Sequence, residues 1–195
     1  GKTDIFKRWK PNDEDNASAE CVILVDMSGS MDSVMNSVSQ IAWLLKSELD
    51  NIQVRTSVLG FANNCYKLFT PNQKADRGQY SDWLAGGGTQ PIYTLKQANK
   101  ILTKSDKKNK IVIVLTDGAW TNYDEEIAEV KNLTKNCDSS NLLFFGSYYT
   151  MEDKGKDDSH SFSHFDNLIK INKIEDTIKV AKTLVADIVN KVINQ

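Results

Sequence analysis

The segment Asp26-Met27-Ser28-Gly29-Ser30 directly follows the apolar run Val22-Ile23-Leu24-Val25. One acid and two hydroxyls at alternate positions just past a strand can converge on a single hard cation, because ions such as Mg²⁺ take oxygen ligands. Two later segments supply the same kind of group. Gly86-Gly87-Gly88-Thr89 offers a third hydroxyl, on a loop whose glycines let it pass close to an ion. The run Ile111-Val112-Ile113-Val114-Leu115-Thr116-Asp117-Gly118 offers a second acid past a second apolar stretch. Asp26, Ser28, Ser30, Thr89 and Asp117 therefore form a candidate oxygen-ligand set for Mg²⁺ or Mn²⁺, with Ca²⁺ admitted. No histidine or cysteine belongs to the set, which argues against zinc and copper. Each fragment alone has an ordinary explanation. Ser30 could cap a following helix, Thr89 could be a turn residue, and Asp117-Gly118 could be a turn. Their conjunction, with both acids placed past buried strands, is what points to a site.

The elements that must position these groups follow from the hydrophobic pattern. Val22–Asp26 reads as a buried strand. Val34, Val38, Ile41, Leu45 and Leu49 recur at helical spacing and predict an amphipathic helix over 32–50. Gln53–Phe61 reads as a long strand, Asn63-Asn64 as a turn, and Cys65–Phe69 as a short strand returning antiparallel. Helices are expected over 75–84 and Ile92–Lys104, Pro91 suiting the start of the second. A buried strand is expected at Ile111–Thr116. A helix follows at Asp124–Asn136, with acids in its first turn where the dipole favours them. Strands at Leu142–Ser147 and Phe165–Ile171 come next, then a final helix with Ile174, Ile178, Ala181, Val185, Ile188 and Val192 on one face. Near-continuous apolar strands separated by helices imply an α/β fold, a doubly wound, mostly parallel sheet covered on both faces. Ligands in such folds bind at the carboxyl ends of the strands, where Asp26 and Asp117 both sit.

Bulk properties narrow the function classes. The chain has 195 residues, enough for one domain with a substantial core. Residues 1–20 read as a polar arm or linker, with Phe6 and Trp9 as anchors, and 21–195 as the domain. The opening Gly1-Lys2, without Met, reads as a piece of a longer protein. The formal charge of −2 gives no basic footprint for nucleic acid. The longest aliphatic run, Ile111 to Leu115, is far too short to span a bilayer. The three cysteines, Cys21, Cys65 and Cys137, are odd in number and widely spaced, which predicts free thiols in a reducing, cytoplasmic setting. The charged stretch 152–158 reads as a solvated insertion.

The order Asp26-x-Ser28-x-Ser30, then Thr89, then Asp117 within Thr116-Asp117-Gly118, resembles the metal-ion-dependent adhesion site (MIDAS) of the von Willebrand factor type A (VWA) domain, and the resemblance covers about residues 20–193. It implies a three-layer, Rossmann-like sheet with one antiparallel edge strand. It also implies that Ser28, Ser30 and often Thr89 touch the ion, while Asp26 and Asp117 commonly act through water. Neutral hydroxyls would leave the cation under-neutralised, so that a protein partner's Asp or Glu fills its open position. The module would then be a non-enzymatic binding domain, in an intracellular assembly such as one with an AAA+ ATPase or another subunit. Extracellular adhesion is the family's other branch. The enzymatic rival is a Mg²⁺-dependent phosphotransferase of the haloacid-dehalogenase type, which carries a second acid two residues after the first as proton donor. Here that position is Ser28. No P-loop lysine follows the glycine loop, and Ser28 lacks a Gly-x-Ser-x-Gly elbow. Trp43 and Trp83 are expected as packing residues on helices. Trp120 suits either a contact on the metal face or burial. Tyr148, Tyr149 and Met151 are expected to rim the site, and the last helix to pack without acting as a switch.

Overall fold

A computed structural model describes residues 19–75, 83–120, 123–145 and 161–193. The apolar runs form one six-stranded sheet. Its strands are β1 (Ala19–Asp26), β2 (Arg55–Phe61), β3 (Cys65–Phe69), β4 (Asn109–Thr116), β5 (Ser139–Phe145) and β6 (Asn167–Ile171). Their spatial order is β3-β2-β1-β4-β5-β6, with every neighbouring pair parallel except β2 and β3. The helices are α1 (Met35–Asn51), α2 (Ile92–Lys104), α3 (Asp124–Lys135) and α4 (Thr177–Ile188). The expected three-layer, Rossmann-like arrangement with one antiparallel edge strand is what the chain adopts.

The side chains of β1 alternate between two covering layers. Cys21, Ile23 and Val25 face the layer of α1 and α4, where Val38, Ile41, Leu45, Ala181 and Val185 cover them. Val22 and Leu24 face the layer of α2 and α3, against a cluster that includes Leu95, Leu102, Val130 and Leu133. Each fully buried Leu, Ile or Val contributes about 1.5–3 kcal/mol. A one-residue slip would exchange the two faces of the strand, and both are apolar. The cost of slipping therefore falls on its end, where Asp26 would leave its partners. In the observed register Val25 lies opposite Leu115, and Asp26 opposite Phe61 of β2. The ends of β1, β2 and β4 thus meet at one pole.

Several boundaries depart from the expected ones, for local backbone reasons. The helix expected over 32–50 begins as a 3₁₀ turn, Gly29–Val34, and becomes α-helical only at Met35. The Met31 N–H donates to the Ser28 carbonyl at 3.0 Å, which winds the first turn tightly. Strand β2 starts at Arg55 rather than Gln53, because Gln53 takes a left-handed conformation (φ 64°) to end α1. Phe165 precedes β6, its N–H donating to the Phe162 carbonyl. On the last helix Ile178 is exposed, and Leu184 joins Ala181, Val185, Ile188 and Val192 as the buried stripe. Ile174 lies in a separate 3₁₀ turn, Ile174–Asp176. Trp83 is not helical; it stands in irregular chain against Phe69, ring centroids 5.8 Å apart. Trp43 packs on the core from α1. The expected helix over 75–84 falls largely outside the described residues, as do residues 1–18 of the arm and the insertion at 152–158.

One close approach joins this packing to the pole. A Cβ on Gly60 of β2 would overlap Met27 Sδ and stand 3.2 Å from Leu68 Cδ1. Met27 separates Asp26 from Ser28, and its N–H donates to the Phe61 carbonyl at 2.8 Å. Gly60→Ala is therefore expected to destabilise the domain by about 1–3 kcal/mol, read as a lower urea midpoint at unchanged slope. An unchanged midpoint would mean that Met27 swings clear.

Candidate functional site

Asp26 ends β1 with no exposed surface. Its Oδ1 accepts from the Ser28 backbone N–H at 3.0 Å and from Ser28 Oγ at 2.6 Å. This is the local turn an aspartate makes with the residue two positions on. Its Oδ2 accepts from Thr116 Oγ1 at 2.6 Å. The single hydroxyl proton of Ser28 is thereby committed to Asp26, so Ser30 Oγ, 3.2 Å away, is the donor in the Ser28–Ser30 contact. Ser28 is buried and Ser30 exposed, which sets the second hydroxyl at the surface of the pole.

Asp117 follows β4 and is buried. Its Oδ1 accepts from the Ala119 N–H at 3.1 Å, whereas its Oδ2 is buried without a hydrogen-bond partner among the described residues. Half-buried Thr89 is carried by a loop pinned on both sides. Gly86 N–H donates to the Met27 carbonyl at 2.9 Å, and Gly29 N–H donates to the Gly87 carbonyl at 3.1 Å. Gly88 N–H donates to Asn63 Oδ1 at 2.7 Å, and Gln90 N–H to the Ala62 carbonyl at 2.9 Å. Gly87 has φ 77°, and a Cβ there would stand 2.7 Å from Asn63 Nδ2, so glycine is required. Pro91 then opens α2. The structure thus brings Asp26, Ser28 and Ser30 into direct contact, sets Asp117 on the adjoining strand end, and ties the Thr89 loop to the ends of β1 and β2.

Electrostatically the pole is unbalanced. Burial pushes the Asp26 carboxyl above its usual range; the hydrogen bonds from Ser28 and Thr116 oppose this, and the charge of Asp117 adds to it. The groups that chiefly act on Asp26 are hydroxyls, a backbone N–H and a second carboxylate. An orphaned buried oxygen such as Asp117 Oδ2 costs about 1–3 kcal/mol, more when charged. Two near carboxylates and neighbouring hydroxyls are oxygen donors suited to a hard divalent cation. Among the described residues no group of three or more His, Cys, Asp or Glu is placed to hold a metal, so hydroxyls would have to complete any coordination here. The cysteines offer no competing nucleophile: burial pushes the Cys137 thiol up to about 12 and that of Cys21 well above its ordinary value.

Two positions matter that the sequence alone did not single out, Thr116 and Asn63, and a third, Trp120, is decided between its two readings. Thr116 Oγ1 accepts from Trp120 Nε1 at 3.0 Å and from the Gly118 N–H at 3.1 Å. With both lone pairs used, its proton is directed onto Asp26. Trp120 is buried, with edge contacts to Phe61 (5.5 Å) and Phe162 (5.0 Å), so it packs beneath the site rather than presenting a contact face. The strand alternation held a signal for Thr116: it shares a sheet face with Val112 and Val114, the face of Asp26 on the neighbouring strand. Asn63, read only as a turn residue, clamps the glycine loop. Tyr148, Tyr149 and Met151 lie outside the described residues.

The family model described as von Willebrand factor type A domain matches residues 21–119, a span that holds all five candidate residues. No curated protein matches the chain. Among solved structures, the PilB minor pilin from Streptococcus sanguinis superposes with a TM-score of 0.69 at 12% identity, over 94% of this chain and 64% of that one. A von Willebrand factor type A protein from Catenulispora acidiphila gives 0.66 at 17% identity, over 87% and 42%. Proximal thread matrix protein 1 from the mussel byssus, whose MIDAS motif is occupied by zinc, gives 0.63 at 16% identity, over 86% and 44%. These likenesses are of fold, and the chain spans less than two thirds of each of these proteins.

The hydrogen-bond chain beneath the pole is open to test. Thr116→Val strands both Asp26 Oδ2 and Trp120 Nε1 and is expected to cost about 1–3 kcal/mol of stability. Thr116→Ser keeps the hydroxyl and should cost clearly less in the same denaturation experiment. Equal losses would show that the methyl group, not the hydroxyl, matters.

Proposed function

The chain belongs to the von Willebrand factor type A domain family, and from that premise we propose that it is a protein-interaction module whose contact runs through a divalent cation held by Asp26, Ser28, Ser30, Thr89 and Asp117. The observation that carries this reading is the pair of buried carboxylates, Asp26 and Asp117, with Asp26 met chiefly by hydroxyls and by the charge of Asp117, and with Asp117 Oδ2 unpartnered among the described residues. A bound Mg²⁺ or Mn²⁺ would neutralise both acids, give the orphaned oxygen a partner and leave a position open to an external carboxylate. The residues of the chain do the rest. Thr116 and Ser28 hold Asp26 in one rotamer. Asn63 and Gly87 hold the Thr89 loop against the ends of β1 and β2. The buried floor of Trp120, Phe61 and Phe162 keeps water from beneath.

The partner in this reading is a protein presenting an Asp or Glu. Phosphoryl transfer is disfavoured because the position two residues after Asp26 is Ser28, whose hydroxyl donates to Asp26 and supplies no acid. We place the module in a cytoplasmic assembly, such as one with an AAA+ ATPase or another subunit; the free thiols of Cys21, Cys65 and Cys137 favour that setting. A second reading, extracellular adhesion, is favoured by the fold shared with a minor pilin. No helix among the described residues is long and apolar enough to cross a membrane. Recovery of a partner from the native source in Mg²⁺ but not in EDTA supports the cation-dependent contact, and chelator-insensitive recovery contradicts it.

Calorimetry should show Mg²⁺ or Mn²⁺ binding in the millimolar range or tighter, abolished by Asp26→Ala. The pH dependence has a definite sign. The folded pKa of Asp26 is raised, so in the cation-free domain this group's contribution to stability is full below its unfolded pKa and is lost as pH rises through the folded one. Cation binding requires the ionised form. The increase in melting temperature given by Mg²⁺ should therefore grow as pH rises through that folded pKa, and a pH-independent increase would count against Asp26 as a ligand.

A further inference from the structure

Five large hydrophobic side chains are exposed among the described residues: Tyr66 (41%), Leu84 (80%), Tyr93 (59%), Tyr123 (67%) and Ile178 (57%). Singly, such side chains need no explanation. Their placement does. The parallel strands end at the pole of Asp26 and Asp117, and each helix that follows starts there. Tyr93 lies in the first turn of α2, Tyr123 is the N-cap of α3, and Ile178 is the second residue of α4. Tyr66 pairs with Gly60, near the end of β2, and Leu84 stands two residues before Gly86, which is bonded to Met27. All five occupy the pole of the candidate site, and none occupies the opposite one.

Three of them bracket two of the five candidate ligands, Thr89 and Asp117, in the chain. Leu84 leads into the glycine loop, Tyr93 follows Thr89 by one turn, and Tyr123 follows Asp117. The Lys96–Glu125 ion pair joins the second turn of α2 to the first turn of α3, and Lys96 is three residues from Tyr93, on the same side of its helix. Tyr93 and Tyr123 therefore flank one edge of the pole together. The remaining exposed charges there among the described residues are of both signs, Asp32 and Asp124 with Lys173 and Lys179, so the cation position is the one concentrated attraction for an acid. An aromatic rim around a charged centre matches the usual build of a binding hot spot, in which Tyr anchors take apolar groups and exclude water.

We propose that the partner is a protein segment in which a single acidic residue is flanked by bulky apolar side chains, the acid going to the cation position and its neighbours resting on Leu84, Tyr93 and Tyr123. The role of the acid rests on the cation reading above; the apolar contacts do not.

The probe is a set of short immobilised peptides with Leu-Glu-Phe, Ser-Glu-Ser or Leu-Gln-Phe at the centre, titrated with the domain in Mg²⁺ and in EDTA. Leu-Glu-Phe should bind about tenfold tighter than Ser-Glu-Ser in Mg²⁺. The double variant Tyr93→Ser, Tyr123→Ser should erase that advantage while calorimetric Mg²⁺ binding and the melting temperature stay unchanged. Equal binding of the two peptides, binding of neither, or an advantage that survives the double variant overturns the proposal. A preference that persists in EDTA and extends to Leu-Gln-Phe keeps the apolar rim and refutes the carboxylate–cation contact.

Discussion

Two carboxylates are forced together at the ends of neighbouring buried strands, and the rest of the pole is arranged around that fact. The parallel pairing that sets Val25 against Leu115 delivers Asp26 beside Thr116, with Asp117 one residue further on. Neither acid can turn away to solvent, since both are buried. The charge of Asp117 raises the cost of ionising Asp26. A globular protein that needed only stability would have placed apolar residues at these two positions.

The surrounding structure makes this strained arrangement persist. Asp26 is held by three donors, from Ser28 and Thr116, and Thr116 is in turn oriented by Trp120 and the Gly118 N–H. The aromatic cluster of Phe61, Trp120, Phe162 and Phe144 thus links the apolar core below α2 and α3 to the orientation of one carboxylate. On the other side, the glycine loop is bonded to backbone atoms at the ends of both β1 and β2, so Thr89 is positioned by the sheet and not by its own sequence neighbours. Satisfying one acid fully while leaving Asp117 Oδ2 unpartnered is costly in isolation. The cost becomes intelligible if function supplies the missing charge.

Much of this was legible in the residues. Val22–Val25 and Ile111–Leu115 are continuous apolar runs because strands covered on both faces have no solvent side to mark with polar residues. The α1 stripe of Val38, Ile41, Leu45 and Leu49 shows because one face of that helix is buried along its whole length. Ile178 fitted the same period on the last helix, yet it protrudes at the pole where the sheet has ended, and periodicity does not record where a helix overhangs its support. Burial was one of the two readings open for Trp120, whereas the structural roles of Asn63 and Thr116 were hidden for a common reason. Asn63 and Thr116 each depend on a partner far along the chain, and local composition carries no trace of such pairing. Asn63 reaches Gly88 and Thr116 reaches Asp26 only once the sheet is assembled. Asp26, Ser28, Ser30 and Asp117 drew notice because their residue types are unusual past apolar strands, and Thr89 because it ends a glycine run, whereas the groups that orient them are ordinary ones.

The central claim is that these five oxygen side chains hold one divalent cation. Anomalous diffraction from crystals grown with Mn²⁺ tests it most directly. A manganese peak is expected within coordinating reach of Ser28 and Ser30 and beside Asp26, Thr89 and Asp117. A well-ordered pole without a peak, or manganese bound only elsewhere on the molecule, would contradict it.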